Sequence, residues 1–207
     1  MSRYKKDKLI ILKKTPYQDE NLIVNAFGYE LGQISFKVRN SNKITSFKKA
    51  NLNELNIIEA KLYLSSKYYS LTESKVLNYF NDKLDFKSLI YKDLLCDFLS
   101  KNLQDTDHQS FNLVEFINSQ KTINFKLYII FICKFLENHG LISDHEQLPK
   151  TLRYYLNSTI QNCLKLQLDK IDSQKSFELL QKILENHLDY KIPKKLVQIL
   201  EAVNKLN

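Results

Sequence analysis

The chain has 207 residues, of which 43% are hydrophobic and 26% charged, a composition typical of a soluble globular protein with one large domain or two modest ones. Three glycines and three prolines exclude collagen-like tracts and long disordered linkers. The net charge of +8 is uneven, because residues 1–80 hold 14 Lys and Arg against 7 Asp and Glu, and this excess favours a polyanionic partner for the first part of the chain.

The first eighty residues carry short strand-like runs separated by turn signals. Pro16 lies in a predicted turn over residues 15–19, and Gly28 and Gly32 bracket a second turn. The third run alternates, with apolar side chains on one side and polar or basic ones on the other. Five such runs in about seventy residues favour a small closed barrel of the OB type. The predicted strands cover residues 9–14, 21–27, 33–39, 55–64 and 68–77, and a polar, basic loop covers 40–51.

After about residue 80 the apolar residues recur at helical spacing. The segment 123–139 is apolar on nearly every side, which is typical of a helix buried by neighbours all round, and Gly140 suits its C-terminal cap. Further helices are predicted over 86–103, 152–168, 177–188 and after Pro193. The predicted fold class is therefore α+β, with a five-stranded OB-fold β-barrel domain at residues 1–80 and an all-helical bundle domain at 81–207.

Neither a membrane span nor a disulfide framework is predicted. Residues 9–12 are too short for the apolar core of a signal peptide, and the longest apolar run, 127–133, is far short of a bilayer crossing. Cys96, Cys133 and Cys163 are odd in number and widely spaced, which suits small core residues better than disulfides or a zinc motif. We therefore expect a cytoplasmic protein with no membrane partner.

Catalytic chemistry finds little support. Asp19 and Glu20 are adjacent, and neighbours on a strand face opposite ways, so Asp19 is interpreted as a turn residue. Three glycines cannot build a phosphate-binding loop, and His139 and His145 supply too few ligands for a metal site. We expect no enzyme active site, no metal and no cofactor.

Basic residues in and around the strands predict contact with a nucleic-acid backbone. Lysine and arginine neutralise phosphates and release counterions, which gives affinity without sequence preference. Tyr17, Phe47, Tyr68 and Tyr69 are candidates for base stacking, although core packing is the commoner role for any one of them. The candidate binding residues are Lys13, Lys14, Lys37, Arg39, Lys43, Lys48 and Lys49.

A second basic spot lies near the C-terminus. Lys194 and Lys195 would occupy the first turn of the last predicted helix, where the helix macrodipole disfavours cations. That cost hints at a bound phosphate or an acidic partner peptide, and a solvated turn explains the pair equally well.

The order of residues over 10–39 resembles the N-terminal OB domain of the bacterial recombination-repair RecO family. The likeness comprises an apolar strand ending at Leu12, a turn with Asp19 and Glu20, the strand at 22–27, and Gly32 before the strand at 33–39. Family members usually continue with a Lys-Gly-Ala-Arg-like loop, and here Arg39 stands at its lysine. Segments 131–140 and 187–195 resemble the family's central helix and C-terminal segment.

Two departures from the family pattern affect the expected sites. Many relatives bind zinc through four cysteines after the central helix, whereas residues 141–175 contain only Cys163, so no zinc is expected. Some relatives place a basic pair before the phenylalanine of that helix, where this chain has Ile129 and Ile130. Other lysines are then the candidates for docking the acidic C-terminal tail of single-strand-binding protein: Lys126, Lys134, Lys194 and Lys195.

The resemblance implies a DNA repair and recombination mediator rather than an enzyme. It implies binding of single- and double-stranded DNA, annealing of complementary strands, and work with RecR to load RecA on strands coated by single-strand-binding protein, with the protein nucleoid-associated when on DNA. Two alternatives stay open: an OB-fold RNA-binding or ribosome-associated factor, and a protein-interaction adaptor whose bundle does the work.

Overall fold

The computed structural model describes residues 3–18, 21–39, 51–65, 68–80, 85–103, 105–120, 122–143, 147–167 and 170–191. The strands in these residues are β1 (Tyr4–Tyr17), β2 (Asn21–Gly28), β3 (Gly32–Val38), β4 (Ile57–Leu64) and β5 (Tyr69–Asn78). The helices are α1 (Phe86–Asn102), α2 (His108–Asn118), α3 (Phe125–Asn138), α4 (Lys150–Leu156), α5 (Ile160–Lys165) and α6 (Lys170–Leu188). Strands precede helices, and the predicted α+β class is confirmed.

The five strands form a closed barrel in the order β1-β2-β3-β5-β4. All neighbouring pairs are antiparallel except β3 and β5, which run parallel. Alternate side chains point into the barrel and fill it, as the period-2 pattern of the sequence requires. Fully buried interior residues include Leu9 and Ile11 of β1, Val24 of β2 and Leu62 of β4. This is the five-stranded OB-type barrel that the sequence predicts.

Strand β1 is longer than the sequence indicates and continues through the predicted turn. It pairs with β4 only over Tyr4–Ile10, and with β2 from Leu9 to Tyr17. Pro16 pairs with Leu22 of β2 and lies beyond the part of β1 that pairs with β4. A proline, which has no N–H to donate, is tolerated in such an edge part of a strand. The chain turns at Gln18 instead, whose φ is +46°.

The turn between β2 and β3 is built around a buried carboxylate. Asp7 of β1 accepts hydrogen bonds from the backbone N–H groups of Glu30 (3.1 Å) and Leu31 (3.0 Å). A Cβ atom added to Gly28 would lie 2.4 Å from Asp7 Oδ2, so only glycine fits beside this carboxylate. Burial raises the pKa of Asp7, and the backbone N–H groups that it accepts from oppose that rise in part.

Helix α2 was not predicted from the sequence. Asp107 caps it by accepting a hydrogen bond from the backbone N–H of Ser110 (2.9 Å). Phe111 packs on Phe27 of β2, with 6.1 Å between ring centroids, and meets the ring of Tyr29 edge-on at 5.2 Å. An outward-facing side chain of β2 is thus buried under a helix, which explains why Phe27 is fully buried.

The chain divides into two compact units. The first contains Met1–Lys83 and Cys96–Lys121, and the second contains Leu84–Leu95 and Thr122–Asn207. Compactness is a different criterion from independent folding, so the domain boundary expected near residue 80 stays a prediction.

The second unit is built around α3. Leu127–Cys133, Phe135 and Leu136 are all buried, which is the all-round burial that the sequence predicts for this segment. Asn124 caps the helix through a hydrogen bond from the backbone N–H of Leu127 (3.0 Å). Gly140 follows it with a φ of +67°, as expected of a glycine that ends a helix.

The prediction of a single helix over residues 152–168 is wrong, because this segment forms two short helices. Helix α4 ends at Leu156, and Thr159 caps α5 by accepting a hydrogen bond from the backbone N–H of Asn162 (3.3 Å). Helix α6 extends the predicted 177–188 segment toward the N-terminus. The helix predicted after Pro193 lies outside the described residues. Among the described helices, none has the length and apolar content needed to cross a bilayer.

Candidate nucleic-acid interface

A groove of about 310 Å³ lies on the outer face of β2 and β3. Ile23 of β2 and Ser35 and Lys37 of β3 point outward, because Val24 and Phe36, their strand neighbours, point into the core. The groove is lined by Tyr17, Ile23, Ser35, Phe36, Lys37 and Tyr68. Tyr17 ends β1 and Tyr68 precedes β5, so the groove lies between the β1–β2 and β4–β5 connections, where OB folds hold oligonucleotides.

Two exposed tyrosines and one lysine give the groove its chemistry. Tyr17 and Tyr68 are 44% and 46% exposed. The ammonium of Lys37 lies 5.1 Å from the ring centroid of Tyr17, within cation–π range. Exposed rings can stack on bases while the ammonium meets a phosphate, so the groove suits a single-stranded nucleic acid.

The predicted basic residues of β1 have different surroundings. Lys13 is exposed and pairs in register with Asn25, whose side-chain oxygen accepts a hydrogen bond from Ser35 Oγ (2.8 Å). Lys13 therefore lies on the outer face that also carries Lys37. Lys14 is half-buried and donates to Asn53 Oδ1 at 2.5 Å, so its charge is directed toward the 51–56 segment.

The remaining predicted residues of the barrel are only partly described. Arg39 is exposed directly after β3. Tyr69 packs against the barrel core, so core packing and not stacking is its role. The other candidates of the loop lie outside the described residues: Lys43, Phe47, Lys48 and Lys49.

The two described lysines expected to dock a partner tail both make contacts within the second unit. Lys126 Nζ donates to the backbone carbonyls of Leu164 and Leu166, the latter at 2.6 Å. Lys134 Nζ lies 2.7 Å from Glu137 Oε2 and donates to the carbonyl of Leu156 at 3.3 Å. Both ammonium groups thus tie helices and their ends together. Lys194 and Lys195 lie outside the described residues.

Sequence reasoning missed a second cationic face on the barrel. On the outer side of β1, β4 and β5, Lys6 pairs in register with Lys61, and Lys61 pairs with Glu73. The signal was the alternation of Tyr4, Lys6 and Lys8 at the start of β1, in residues that precede the strand predicted at 9–14. The cationic residues of this face are Arg3, Lys6, Lys8, Lys61 and Lys75.

Cys96, Cys133 and Cys163 are all buried and free of disulfides. Burial raises the pKa of Cys133 to about 12 and also raises the pKa of Cys163, so neither thiol is ionised at neutral pH. Within the part of the chain that the structure describes, no group of three His, Cys, Asp or Glu side chains could hold a metal ion. The expected absence of a cofactor stays a prediction.

Comparison with known proteins agrees with the barrel. The chain has no significant match among curated proteins. Residues 1–80 match a family model described as the N-terminal domain of recombination protein O, and this stretch holds all five strands of the barrel. Residues 1–80 therefore form an N-terminal domain of the recombination protein O type.

Proposed function

We propose that the protein binds nucleic-acid strands through the groove on β2 and β3 and anneals complementary strands during recombinational repair. One observation carries the proposal: Tyr17, Tyr68 and Lys37 together present two exposed aromatic rings and a cation in one groove of an OB-type barrel. Stacking on rings tolerates every base, and a lysine contacts any phosphate, so the expected binding is independent of sequence.

Lys13 and Arg39 extend the same surface beyond the groove. Lys13 is exposed and pairs in register with Asn25, which in turn pairs with Ser35, and Arg39 is exposed directly after β3. Each added cation would neutralise one more phosphate. Annealing needs such a surface, because it screens the repulsion between two strands without gripping particular bases.

The family match supports partners of the recombination machinery. We infer that the protein acts with RecR to load RecA on strands coated by single-strand-binding protein, and that it works by binding and not by breaking bonds. The contacts of Lys126 and Lys134 within the second unit leave Lys194 and Lys195 as the better candidates for the acidic tail.

The test compares the salt dependence of single-strand binding between the unaltered protein and a variant with reversed charges at Lys37 and Arg39. Lys37→Glu with Arg39→Glu should weaken binding to unrelated single strands alike and lower the slope of log K against log salt by about two. The matched control is Lys165→Glu with Lys182→Glu, which changes the net charge equally at exposed positions of the second unit.

Two outcomes would contradict the proposal. An unchanged salt slope in the β3 variant would remove the groove from the binding surface. Tighter binding to structured RNA than to single-stranded DNA would favour an RNA-binding factor, since recognition of the 2′-OH distinguishes RNA. Strand annealing, measured with and without single-strand-binding protein, then tests the repair role itself.

A further inference from the structure

We propose that a single nucleic-acid strand bound in the groove continues around the barrel, over the outer side of β5, β4 and the first half of β1, and ends on Tyr4. The surface concerned is here called the outer belt, and it comprises Tyr4, Lys6, Lys61 and Tyr63, whereas Ser70, between the belt and the groove, has a buried hydroxyl. This inference depends on the proposed function, because it extends the path of the strand that the groove holds.

Register makes the outer belt continuous with the groove. Lys37 of β3 pairs with Ser70 of β5, Ser70 pairs with Tyr63 of β4, and Tyr63 pairs with Tyr4 of β1. Residues paired in register project to the same side of a sheet, so the outward side of Lys37 is also that of the other three. Three strand spacings separate Lys37 from Tyr4, about 15 Å along the barrel surface.

The outer belt repeats the aromatic and cationic pair of the groove. Lys61 Nζ lies 5.3 Å from the ring centroid of Tyr4, as Lys37 Nζ lies 5.1 Å from that of Tyr17. The ring of Tyr4 is 50% exposed and packs against Tyr63, with 5.2 Å between centroids. Tyr4 is thus a second half-exposed tyrosine with a lysine ammonium over its ring, and it is suited to stack on a second base.

Charge around the outer belt favours a polyanion. Lys6 is exposed and stands in register beside Lys61, and Lys8 and Lys75 are exposed on the flanking row. Two acidic residues, Glu59 and Glu73, stand among these cations, and Glu73 lies 2.8 Å from Lys61. With Arg3, five cations face two carboxylates, so a phosphate chain is attracted to this side.

Strand length is the variable that tests the path. Successive phosphates of one strand are about 3.4 Å apart, so the path of about 15 Å from Lys37 to Tyr4 adds about four nucleotides to those held in the groove. The belt variant is Tyr4→Ala with Lys6→Gln, and the groove variant is Tyr17→Ala with Lys37→Gln. The control is Tyr154→Ala with Lys165→Gln, which removes an exposed tyrosine and an exposed lysine from the second unit.

Affinities of the full chain are measured for oligothymidylates of about 4 and about 16 nucleotides, the two ends of the range that OB folds hold, with the occluded site size from stoichiometric titration. We expect the belt variant to bind the short strand like the unaltered protein, to bind the long strand about tenfold more weakly, and to occlude fewer nucleotides. Thermal unfolding monitored by circular dichroism verifies that each variant is folded.

Three results would contradict the proposal that the strand continues over the outer belt. Equal affinity of the belt variant for the long strand would remove Tyr4 and Lys6 from the path, and equal losses for both lengths would place them in the short site. Weaker binding of the long strand by the belt variant, with an unchanged site size, would indicate that the belt binds a second strand. If instead the groove variant binds the short strand normally, the proposed function fails separately from the belt.

Discussion

The Cα of Gly28 faces the carboxylate of Asp7 so closely that a Cβ atom there would lie 2.4 Å from Oδ2. The carboxylate cannot simply turn away, because the backbone N–H groups of Glu30 and Leu31 donate to it. Burying Asp7 lets one side chain satisfy the amides of the β2–β3 turn. The same turn leads into β3, the strand that carries Lys37, so its geometry positions the groove.

Gly28→Ala should therefore destabilise the barrel, because overpacking beside a fixed polar group costs about 1–3 kcal/mol. Urea unfolding measures the change in the free energy of unfolding. A double-mutant cycle with Asp7→Ala identifies the cause: the cost of Gly28→Ala should shrink when the carboxylate is gone. An undiminished cost would point to Leu9 Cδ2 or the carbonyl of Gly32, which lie 3.1 and 3.3 Å from the added Cβ.

Asp7 also predicts a pH dependence of stability. Burial raises its pKa above the usual value of 3.8, so the folded protein holds this proton at a pH where the unfolded chain has lost it. Stability contributed by Asp7 is then present below about pH 4 and declines as the pH rises through the folded pKa. The free energy of unfolding of the unaltered protein, minus that of Asp7→Asn, should fall as the pH rises above the usual carboxyl pKa of 3.8. A difference that grows with pH would show that the amide hydrogen bonds outweigh desolvation.

Tyr17 should act through its ring and not its hydroxyl. Tyr17→Phe keeps the surface that stacks on a base and that Lys37 covers, so single-strand affinity should change little. Tyr17→Ala should lose about 1–3 kcal/mol of binding free energy, as loss of one base–aromatic stack does. Tyr154→Ala is the control, because that tyrosine is also exposed but belongs to the second unit. Equal affinities of the Phe and Ala variants would exclude stacking at this position.

The sequence predicts the barrel well because alternation along a strand fixes which side chains are inside. It predicts Lys37 as a surface residue for that reason, since Phe36 and Val38 on either side are core residues. Lys14 could not be placed from alternation, because the register of β1 and β2 shifts between Ile11 and Lys13. A bulge of this kind reorients the residues that follow it and leaves no mark in the polar pattern.

Helix α2, which was missed, and Leu55, which was wrongly placed in a strand, show where prediction from the sequence fails. Phe111, Val114 and Ile117 recur at helical spacing after the cap Asp107, so the signal for α2 was present among polar neighbours. Leu55 was predicted to begin β4, but its φ is +63°, a conformation that leucine rarely adopts. Hydrogen bonds from its N–H to Ile11 and from Asn118 to its carbonyl hold it there, and such tertiary contacts are invisible in a local pattern.

Lys126 should prove to be a structural residue of the second unit. Its ammonium donates to the carbonyls of Leu164 and Leu166 at the end of α5, and burial lowers its pKa. Lys126→Met keeps the length of the side chain and leaves two carbonyls without this donor, which should cost about 1–3 kcal/mol of unfolding free energy. Lys165→Met, an exposed lysine of α5, is the control and should be nearly neutral. Binding of an acidic peptide, measured on both variants, separates the roles: an unchanged stability with lost peptide binding would make Lys126 a partner contact and not a structural one.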